Sequence, residues 1–369
     1  MNIAHHNPAR QDRDLSIQEQ EAFAKELDAI GKRTRAQIGE EDANYIRRLQ
    51  TVVRLMELCG RGLLFFGFFP PTWLLGTALL GLSKILENME LGHNVMHGQY
   101  DWMNDPAFCG RTYDWDLVCP GDFWREAHNH QHHTYTNVIG KDDDVGYGVV
   151  RLFPEQRWHP FYRWQVVTVA VQALLFEWAV GIQELQLKRQ LKGKPVPHFD
   201  EKLALFKRKA TKTALREYVL LPLIAWNHWG AVLAGNAVAS IIRNLWAFAV
   251  IFCGHFTEKA AVFPLEALQN ETRGQWYLRQ LKGSSNMTAG PIMHILAGNL
   301  SHQIEHHMFP DIPARRYTAI AVEVRDVCQR YGQTYNTAPM AQQFASVLRR
   351  IWIYRKPDAK APKGMPATA

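Results

Sequence analysis

Charged residues are absent from three long apolar stretches of the chain. A run of 22 residues without charge lies between Arg61 and Lys84, and a run of 25 lies between Glu217 and Arg243. Another 14 uncharged residues follow Arg243. Since about 20 apolar residues in a helix span the hydrocarbon layer of a bilayer, these stretches predict membrane-spanning helices rather than the core of a soluble protein.

Breaks within the apolar stretches predict two helical hairpins. Pro70 and Pro71 cannot continue a helix unbroken, so they predict the turn of the first hairpin. We expect the second turn near Ala234-Gly235-Asn236. The four expected spans lie near residues 50–69, 72–92, 218–235 and 236–256.

The remaining segments are more polar. Residues 1–49 predict an amphipathic N-terminal arm on the cytoplasmic side, with Ser16 and Glu19 at the spacing of a helix-capping box. The first residues contain no apolar core, so no secretory signal is expected. The stretch 164–184 is apolar but contains Gln and Glu, which favours an interfacial or re-entrant segment. Residues 336–369 predict a basic C-terminal tail.

Composition narrows the class of protein further. The apolar fraction of 47% excludes intrinsic disorder. The mean hydropathy of −0.25 is typical of a soluble protein, but an average hides how unevenly the apolar residues are distributed. The five cysteines are scattered without a Cys-x-x-Cys pair, so neither a disulfide framework nor a thiolate zinc site is expected.

Basic residues gather beside the apolar stretches. The net charge is +7, and ten Lys and Arg residues lie in the segment 186–216. Basic segments that flank membrane spans usually mark the cytoplasmic side. The charge therefore predicts an orientation in the membrane, and we expect no nucleic-acid partner.

Histidine is unusually frequent, and nine of the 16 histidines fall in three short stretches. Each stretch holds two histidines four residues apart, which would share one face of a helix. The pairs are His93 and His97, His128 and His132, and His302 and His306. Because histidine is the commonest metal ligand, three such pairs predict one shared metal site.

Residues next to the pairs extend this predicted site. His133 and His307 directly follow two of the pairs and lie about 100° further round a helix, which suits a second metal or a bridging position. Carboxylates that would fix the histidine tautomers are Asp142, Asp143, Asp144 and Glu305. Imidazole suits iron, zinc, copper and nickel alike, so ligand type alone leaves the metal open.

One shared site requires all three histidine stretches to lie on the same side of the membrane. An even number of spans must therefore separate the second stretch from the third. A hairpin over 218–256 meets this condition and keeps the basic segment cytoplasmic. We predict an all-α integral membrane protein with about four transmembrane helices in two hairpins and a helical cytoplasmic cap that carries the histidines.

The three stretches resemble the histidine boxes of membrane fatty-acid desaturases, with the pattern His-x3-His, His-x3-His-His and His/Gln-x2-His-His. The resemblance includes GHNVMHGQYDWMNDP, WREAHNHQHHTYTNVIGKDDDVGYG and GNLSHQIEHHMFPDIPARRY. It covers roughly residues 50–335, the expected desaturase domain. Gln303 at the start of the third box is similar to the front-end or linoleoyl-CoA-type subgroup, with an acyl-CoA desaturase subgroup as the alternative.

The resemblance implies a helical membrane anchor beneath a cytoplasmic cap that holds two iron ions. The implied ligands are His93, His97, His128, His132, His133, His255, His306 and His307. Helix spacing adds His302 as a ligand, whereas the family pattern favours Gln303. We expect His130, His294 and Asn129 to be supporting or alternative ligands.

The activity implied is oxygen-dependent desaturation, in which dioxygen is the co-substrate and a cis double bond forms in a long-chain acyl-CoA or acyl-lipid. Trp73, Trp102, Trp115 and Trp124 are candidates for the wall of an acyl tunnel. A fused cytochrome would carry a His-Pro-Gly-Gly motif, which this sequence lacks. Electrons are therefore expected from a separate ferredoxin- or cytochrome-type donor with its reductase.

Other functions are compatible with a histidine-rich membrane protein. A hydroxylase or ketolase of the same di-iron superfamily is the nearest alternative, and it would add oxygen rather than remove hydrogen. A metal transporter would place its histidines within the spans, whereas here they lie in the polar segments beside them. A non-catalytic metal-binding membrane protein is a further alternative, which iron analysis and a ferrous-dependent oxygen-consumption assay would test.

Overall fold

The computed structural model describes residues 12–191 and 193–358, and it is mostly helical. The α-helices are α1 (Ile17–Arg35), α2 (Glu40–Phe65), α3 (Pro70–Leu86), α4 (His93–Met96), α5 (Gly121–Trp124), α6 (His133–Tyr135), α7 (Gln165–Leu174), α8 (Phe176–Gln183), α9 (Leu187–Leu191), α10 (Phe199–Leu215), α11 (Leu221–Ile224), α12 (Trp229–His255), α13 (Arg273–Gly283), α14 (Pro291–Leu296), α15 (Gln303–Met308), α16 (Tyr317–Arg330) and α17 (Met340–Tyr354). Three π-helical segments cover Glu87–Gly92, Arg125–His132 and Arg216–Leu220. Two short strands, β1 (Asn286–Thr288) and β2 (Thr337–Pro339), pair in parallel. The predicted all-α class is confirmed.

The first predicted hairpin is present. Helix α2 ends at Phe65, and Pro70 begins α3, where the missing N–H of proline costs nothing. The helical backbone then continues from α3 through the π segment into α4, so the hairpin leads directly to the first histidine pair. The expected boundary after residue 49 lies inside α2, which already begins at Glu40.

The second hairpin differs from the prediction, because most of the two spans expected at 218–235 and 236–256 forms the single helix α12. The chain turns at the short helical segment Trp226–His228, and α12 passes without interruption through Gly235. A Cβ on Gly235 would lie 2.5 Å from Leu64 Cδ2 of α2. This glycine therefore allows two helices to pack closely and does not end a helix.

The two hairpin turns lie side by side. The ring of Phe68 stacks on His228 with 5.0 Å between centroids, and Trp73 Nε1 donates to the carbonyl of Ala231. Large apolar side chains at this end of the molecule are exposed; we call them the aromatic end, and they are Phe66, Phe68, Phe69, Trp226 and Trp229. The aromatic end lies at the opposite end of α12 from His255.

Helix Trp226–His255 is long and apolar enough to cross a membrane, the one such unbroken helix in the part of the chain that the structure describes. Helices α7 and α8 pass the same test only as a pair, and the pair is bent by 102°. This bend agrees with the expectation that 164–184 is not a simple span. The number of membrane-spanning helices stays a prediction.

A helical layer covers the histidine end of the hairpins. Its first helix begins with the predicted capping box of Ser16 and Glu19. Phe23 and Leu27 of α1 are buried in one cluster with Tyr277 of α13 and other residues of the layer. The N-terminal arm is thus part of a packed cap rather than a separate element.

Within the segment 336–369, which was predicted as a basic C-terminal tail, residues 337–354 form β2 and α17. In β2, Ala338 pairs with Met287 of β1, and α17 buries Val347 and Ile351 against the core around α12. The apolar face of α17 explains why this basic segment folds onto the protein. The last residues, 359–369, lie outside the described residues.

Candidate metal centre

Four helical segments bring eight histidines together at one place. The third box follows Gly298, whose φ is +68° and whose Cβ would lie 2.3 Å from the Met89 carbonyl oxygen. Only glycine fits this approach between the third box and the segment that leads to the first. Gly254 has a similar role beside His255, since a Cβ there would lie 3.0 Å from the Gln303 side chain.

The first group of histidines consists of His93, His97, His128 and His306. Each offers one ring nitrogen, and these four atoms all lie within 4.8 Å of one another. Each of the four has a buried Nε2 without a hydrogen-bond partner among the residues that the structure describes. Buried nitrogen atoms are rarely left unpaired, so their convergence fits a bound cation.

The second group consists of His132, His255 and His307. The Nε2 atom of His255 lies 3.3 Å from Nε2 of His132 and 3.0 Å from Nε2 of His307. The amide nitrogen of Gln303 is 2.8 Å from the same His255 atom. Three imidazole nitrogens therefore point at one another.

The other nitrogen of each ring in the second group faces an acceptor. For His132, Nδ1 is 2.9 Å from an oxygen of Asp142, and for His255 it is 3.2 Å from the Gly283 carbonyl oxygen. His307 Nδ1 is 3.1 Å from Gln280 Oε1. These acceptors favour a proton on Nδ1 and leave a lone pair on each Nε2. Three facing lone pairs repel one another unless a cation lies between them.

His133 lies between the two groups. Its ring stacks on His307 at 4.3 Å between centroids and is 4.7 Å from the ring of His306. Both of its nitrogens are buried and have no partner within the described ranges. The arrangement therefore has room for two metal ions with His133 close to both.

The second box contributes to both groups, and it lies on a π-helical segment. Residues Arg125–His132 wind more loosely than an α-helix, with hydrogen bonds from i to i+5. His128 and His132 share one face, as helix spacing predicts, and their rings stack at 5.0 Å between centroids. His128 also joins the first group and His132 the second.

Burial keeps most of these histidines neutral, as metal binding requires. It lowers the pKa of five rings well below the usual value: His97, His128, His133, His306 and His307. The pKa of His93 falls to about 4 for the same reason. Burial also acts on His132, but the Asp142 carboxylate outweighs it and raises the pKa of that ring.

The structure places His302 outside both groups, which corrects the prediction from helix spacing. Its Nε2 is 3.1 Å from Thr318 Oγ1, and its ring stacks on His294. The reason is that α15 begins at Gln303, while His302 has the non-helical angles φ −106° and ψ 54°. The spacing of four residues to His306 therefore does not place the two rings on one face.

The remaining predicted residues divide into near and distant ones. Asn129 Nδ2 donates to the Met96 carbonyl and ties the second box to the first. Asp144 lies 3.8 Å from His128 Nδ1. Glu305 faces away and accepts hydrogen bonds from Asn286 and Tyr335. Exposed His130 and Asp143, together with His294, do not join the cluster.

Several residues that contact the cluster were not predicted from the sequence. Gln280 on α13 contacts His307, and the Tyr317 hydroxyl lies 3.4 Å from His306 Nδ1. Thr136 Oγ1 also lies 3.1 Å from His307 Nδ1. These contacts join residues far apart in the chain, so no local pattern reveals them.

A mostly apolar cavity extends away from the histidines. Its wall includes the predicted Trp115 and Trp124, whereas Trp73 lies at the aromatic end and Trp102 at the surface. Among the other lining residues are His93, His128, His132 and His255 at one end and Phe176, Glu177, Val180, Asn244 and Ile251 along its length. The cavity thus connects the cluster with the interior between α8 and α12.

Comparisons with known proteins point to one family. A family model described as fatty acid desaturase matches residues 33–339. The chain is 43% identical over 343 residues to an NADPH-dependent stearoyl-CoA 9-desaturase from Mycobacterium tuberculosis, covering 92% of this chain and 80% of the relative. It is 29% identical over 278 residues to an sn-1 linoleoyl-lipid 6-desaturase from Synechocystis, covering 73% and 76% of the two chains.

Proposed function

The chain belongs to the fatty acid desaturase family, and from that premise we propose that it introduces a cis double bond into a long-chain acyl substrate at a non-haem di-iron centre. One observation carries the proposal. Buried histidine nitrogens without partners in the described chain converge at the end of an apolar cavity.

The two histidine groups would each hold one iron ion. His93, His97, His128 and His306 form one donor set, and His132, His255 and His307 form the other, with His133 beside both. Two bound iron ions would supply the oxidation of two adjacent C–H bonds, in which dioxygen takes the two substrate hydrogens together with two electrons from a donor and two protons from solvent, and yields two waters. Asp142 keeps the proton of His132 on Nδ1 and leaves Nε2 free to bind.

The protein's own contribution to the reaction is to orient the acyl chain and to exclude water. Side chains such as Phe176, Val180 and Ile251 line the cavity and would hold an acyl tail beside the histidines. Trp124 stacks on His128 at 4.5 Å between centroids, so an apolar wall reaches the cluster itself. A dry cavity limits competing reactions of the oxidant.

The names of the relatives support a proposal for the carrier and the electron source. One relative's name specifies stearoyl-CoA and NADPH, and another's specifies a linoleoyl lipid. We infer a saturated acyl-CoA as the substrate because the CoA-specific relative is the more similar one. Electrons would come from NADPH through a separate reductase and a ferredoxin- or cytochrome-type carrier.

We place the enzyme in the lipid bilayer with its active site on the cytoplasmic side. In this arrangement both hairpins span the membrane, and the aromatic end reaches the far interface, where Trp side chains are favoured. The cap with α1, α13 and α16 then lies in the cytoplasm, together with the start of the basic segment 186–216, whose last residues continue from α10 into the second hairpin.

Replacement of one histidine ligand tests the proposal. His306→Ala should lose most of the bound iron and all desaturated product, because His306 belongs to the first donor set. Iron is measured by elemental analysis, and product is measured by gas chromatography with mass detection after incubation with stearoyl-CoA, NADPH, reductase and carrier. A product lighter by two hydrogens supports desaturation, whereas a product heavier by one oxygen identifies a hydroxylase.

Two matched controls lie in the same boxes. His130→Ala and His302→Ala remove histidines that the structure places outside both groups. Both variants should keep their iron and their product. Full activity of His306→Ala would contradict the proposed site.

A further inference from the structure

A charged residue, Glu177, lies in the wall of the cavity on the side away from the histidines. On α12, His255, Ile251 and Asn244 line the cavity, and the 11 residues from Asn244 to His255 correspond to about 16 Å of helix. On α8, Gln183 contacts Asp144 beside the cluster, whereas Glu177 lies near the opposite end of the helix. Both helices therefore place Glu177 and Asn244 farthest from the metal site.

Glu177 forms an ion pair with Arg243, and both side chains are buried. Asn244 fixes this pair in place: its Oδ1 lies 3.2 Å from Arg243 Nε and 3.4 Å from the backbone nitrogen of Glu177. Its Nδ2 donates to the Leu174 carbonyl at 2.9 Å. The same asparagine thus bridges the bend between α7 and α8, so the ion pair belongs to a rigid junction.

We propose that the Glu177–Arg243 ion pair is the floor of the acyl cavity and sets the longest acyl tail that the enzyme accepts. This inference rests on the proposed function. A longer tail would have to separate or displace the two charges in an apolar environment. Breaking a buried ion pair costs several times what the burial of one more methylene gains. The ion pair therefore limits the length of the acyl tail more strictly than apolar side chains would, because apolar side chains can repack.

The test removes both charges at once, so that neither is left unpaired. In the double variant Glu177→Ala/Arg243→Leu the cavity should become deeper. The purified, iron-loaded enzyme is given stearoyl-CoA in competition with saturated acyl-CoAs that are two and four carbons longer. We expect the ratio of longer to shorter product to rise about tenfold or more, the usual discrimination for a misfit methylene. An unchanged ratio in a variant with normal iron content overturns the inference.

A second variant acts in the opposite direction and leaves the ion pair intact. Ile251→Trp narrows the cavity between His255 and Asn244, so it should shift the preference to acyl-CoAs that are two carbons shorter than stearoyl-CoA. The inference is overturned if Ile251→Trp keeps the wild-type chain-length preference. This outcome does not depend on whether the double variant folds.

The matched control neutralises an ion pair elsewhere on the hairpins. Glu57 and Arg61 pair on α2 and do not belong to the cavity wall, and Glu217 keeps Lys84 and Arg216 as partners. Glu57→Gln/Arg61→Met should have the wild-type product ratio, and a shift equal to that of the test variant contradicts the inference. If the wild-type protein forms no unsaturated product from any chain, the proposed function itself fails.

Discussion

Single residues decide which nitrogen of each ring faces the site. Asp142, the Gly283 carbonyl and Gln280 each occupy the Nδ1 side of a histidine in the second group. The lone pairs on Nε2 are therefore directed inward before any metal arrives. This direction of the lone pairs suits the binding of a cation.

Asp142 is the one charged residue among these acceptors, so its charge can be tested alone. In Asp142→Asn the acceptor for His132 Nδ1 loses its negative charge, and the affinity for iron should fall about ten- to a hundredfold. Titration of the metal-free protein with ferrous iron measures this change.

The neighbouring Asp143 provides the control because its side chain is exposed and faces away from the rings. Asp143→Asn should bind iron like the wild type. Equal affinities of the Asp142 and Asp143 variants would show that the carboxylate does not support the site.

Residue spacing in the sequence was sufficient to predict most of the histidines that meet in the cluster. It failed where a histidine precedes the start of the α-helix. His93 and His97 adjoin a continuous helix and do lie together. His302 stands outside α15, and the spacing rule does not apply to it. Gln280 and Tyr317 arrive from other helices of the cap, and only the tertiary fold brings them to the cluster.

Helices α2 and α12 pack closely because Gly235 has no side chain. Gly235→Ala should lower the free energy of unfolding by about 1–3 kcal/mol, since the new methyl group would overlap the Leu64 side chain. Thermal unfolding in detergent, followed by the loss of helical circular dichroism, measures the effect.

A compensating change at Leu64 separates packing from other effects of the glycine. In the double variant Gly235→Ala/Leu64→Ala the overlap is removed, so the two substitutions together should cost less than the sum of their separate effects. Strict additivity would show that the close contact is not the cause.

The existence of the helical elements was easier to predict than their ends. Pro70 and Pro71 correctly indicated the first turn because proline acts on its own backbone. Gly235 is equally suited to a turn and to a close helix contact, so the sequence around it does not distinguish the two. The bend between α7 and α8 depends on Asn244, which is 70 residues away from Leu174.

For the whole molecule, the arrangement in the membrane is the main expectation to test. The background protein has the exposed Cys59 and the partly exposed Cys109 replaced by serine. Two variants of it each carry one new cysteine, Phe68→Cys in the aromatic end and Glu21→Cys in the cap. A membrane-impermeant maleimide applied to intact cells should label Phe68→Cys only. Glu21→Cys should react after the cells are permeabilised.

The two positions serve as controls for each other, since both side chains are exposed in the structure. If Phe68→Cys also needs permeabilised cells, the hairpins do not reach the far side of the membrane. The same result would leave the histidine cluster and the cavity as described, because neither depends on where the bilayer lies.

The overall class of the molecule was predictable because it depends on features that extend over the whole sequence, namely apolar stretches, charge and three ordered histidine boxes. The folding of the C-terminal segment was not predictable, since its basic residues obscure the apolar face that contains Val347 and Ile351. Its strand β2 is held by a parallel partner about 50 residues earlier, which no local pattern indicates.

Helix α12 carries Trp229 of the aromatic end, Arg243 of the ion pair and His255 of the metal site on one unbroken helix. The deletion of a single residue between Asn244 and His255 would shorten the helix by about 1.5 Å and rotate one end against the other by about 100°. Insertions and deletions should therefore be rare in this stretch among related proteins, although individual apolar side chains can vary. The turn 66–69 is free of this constraint, and we expect its length to vary among related proteins.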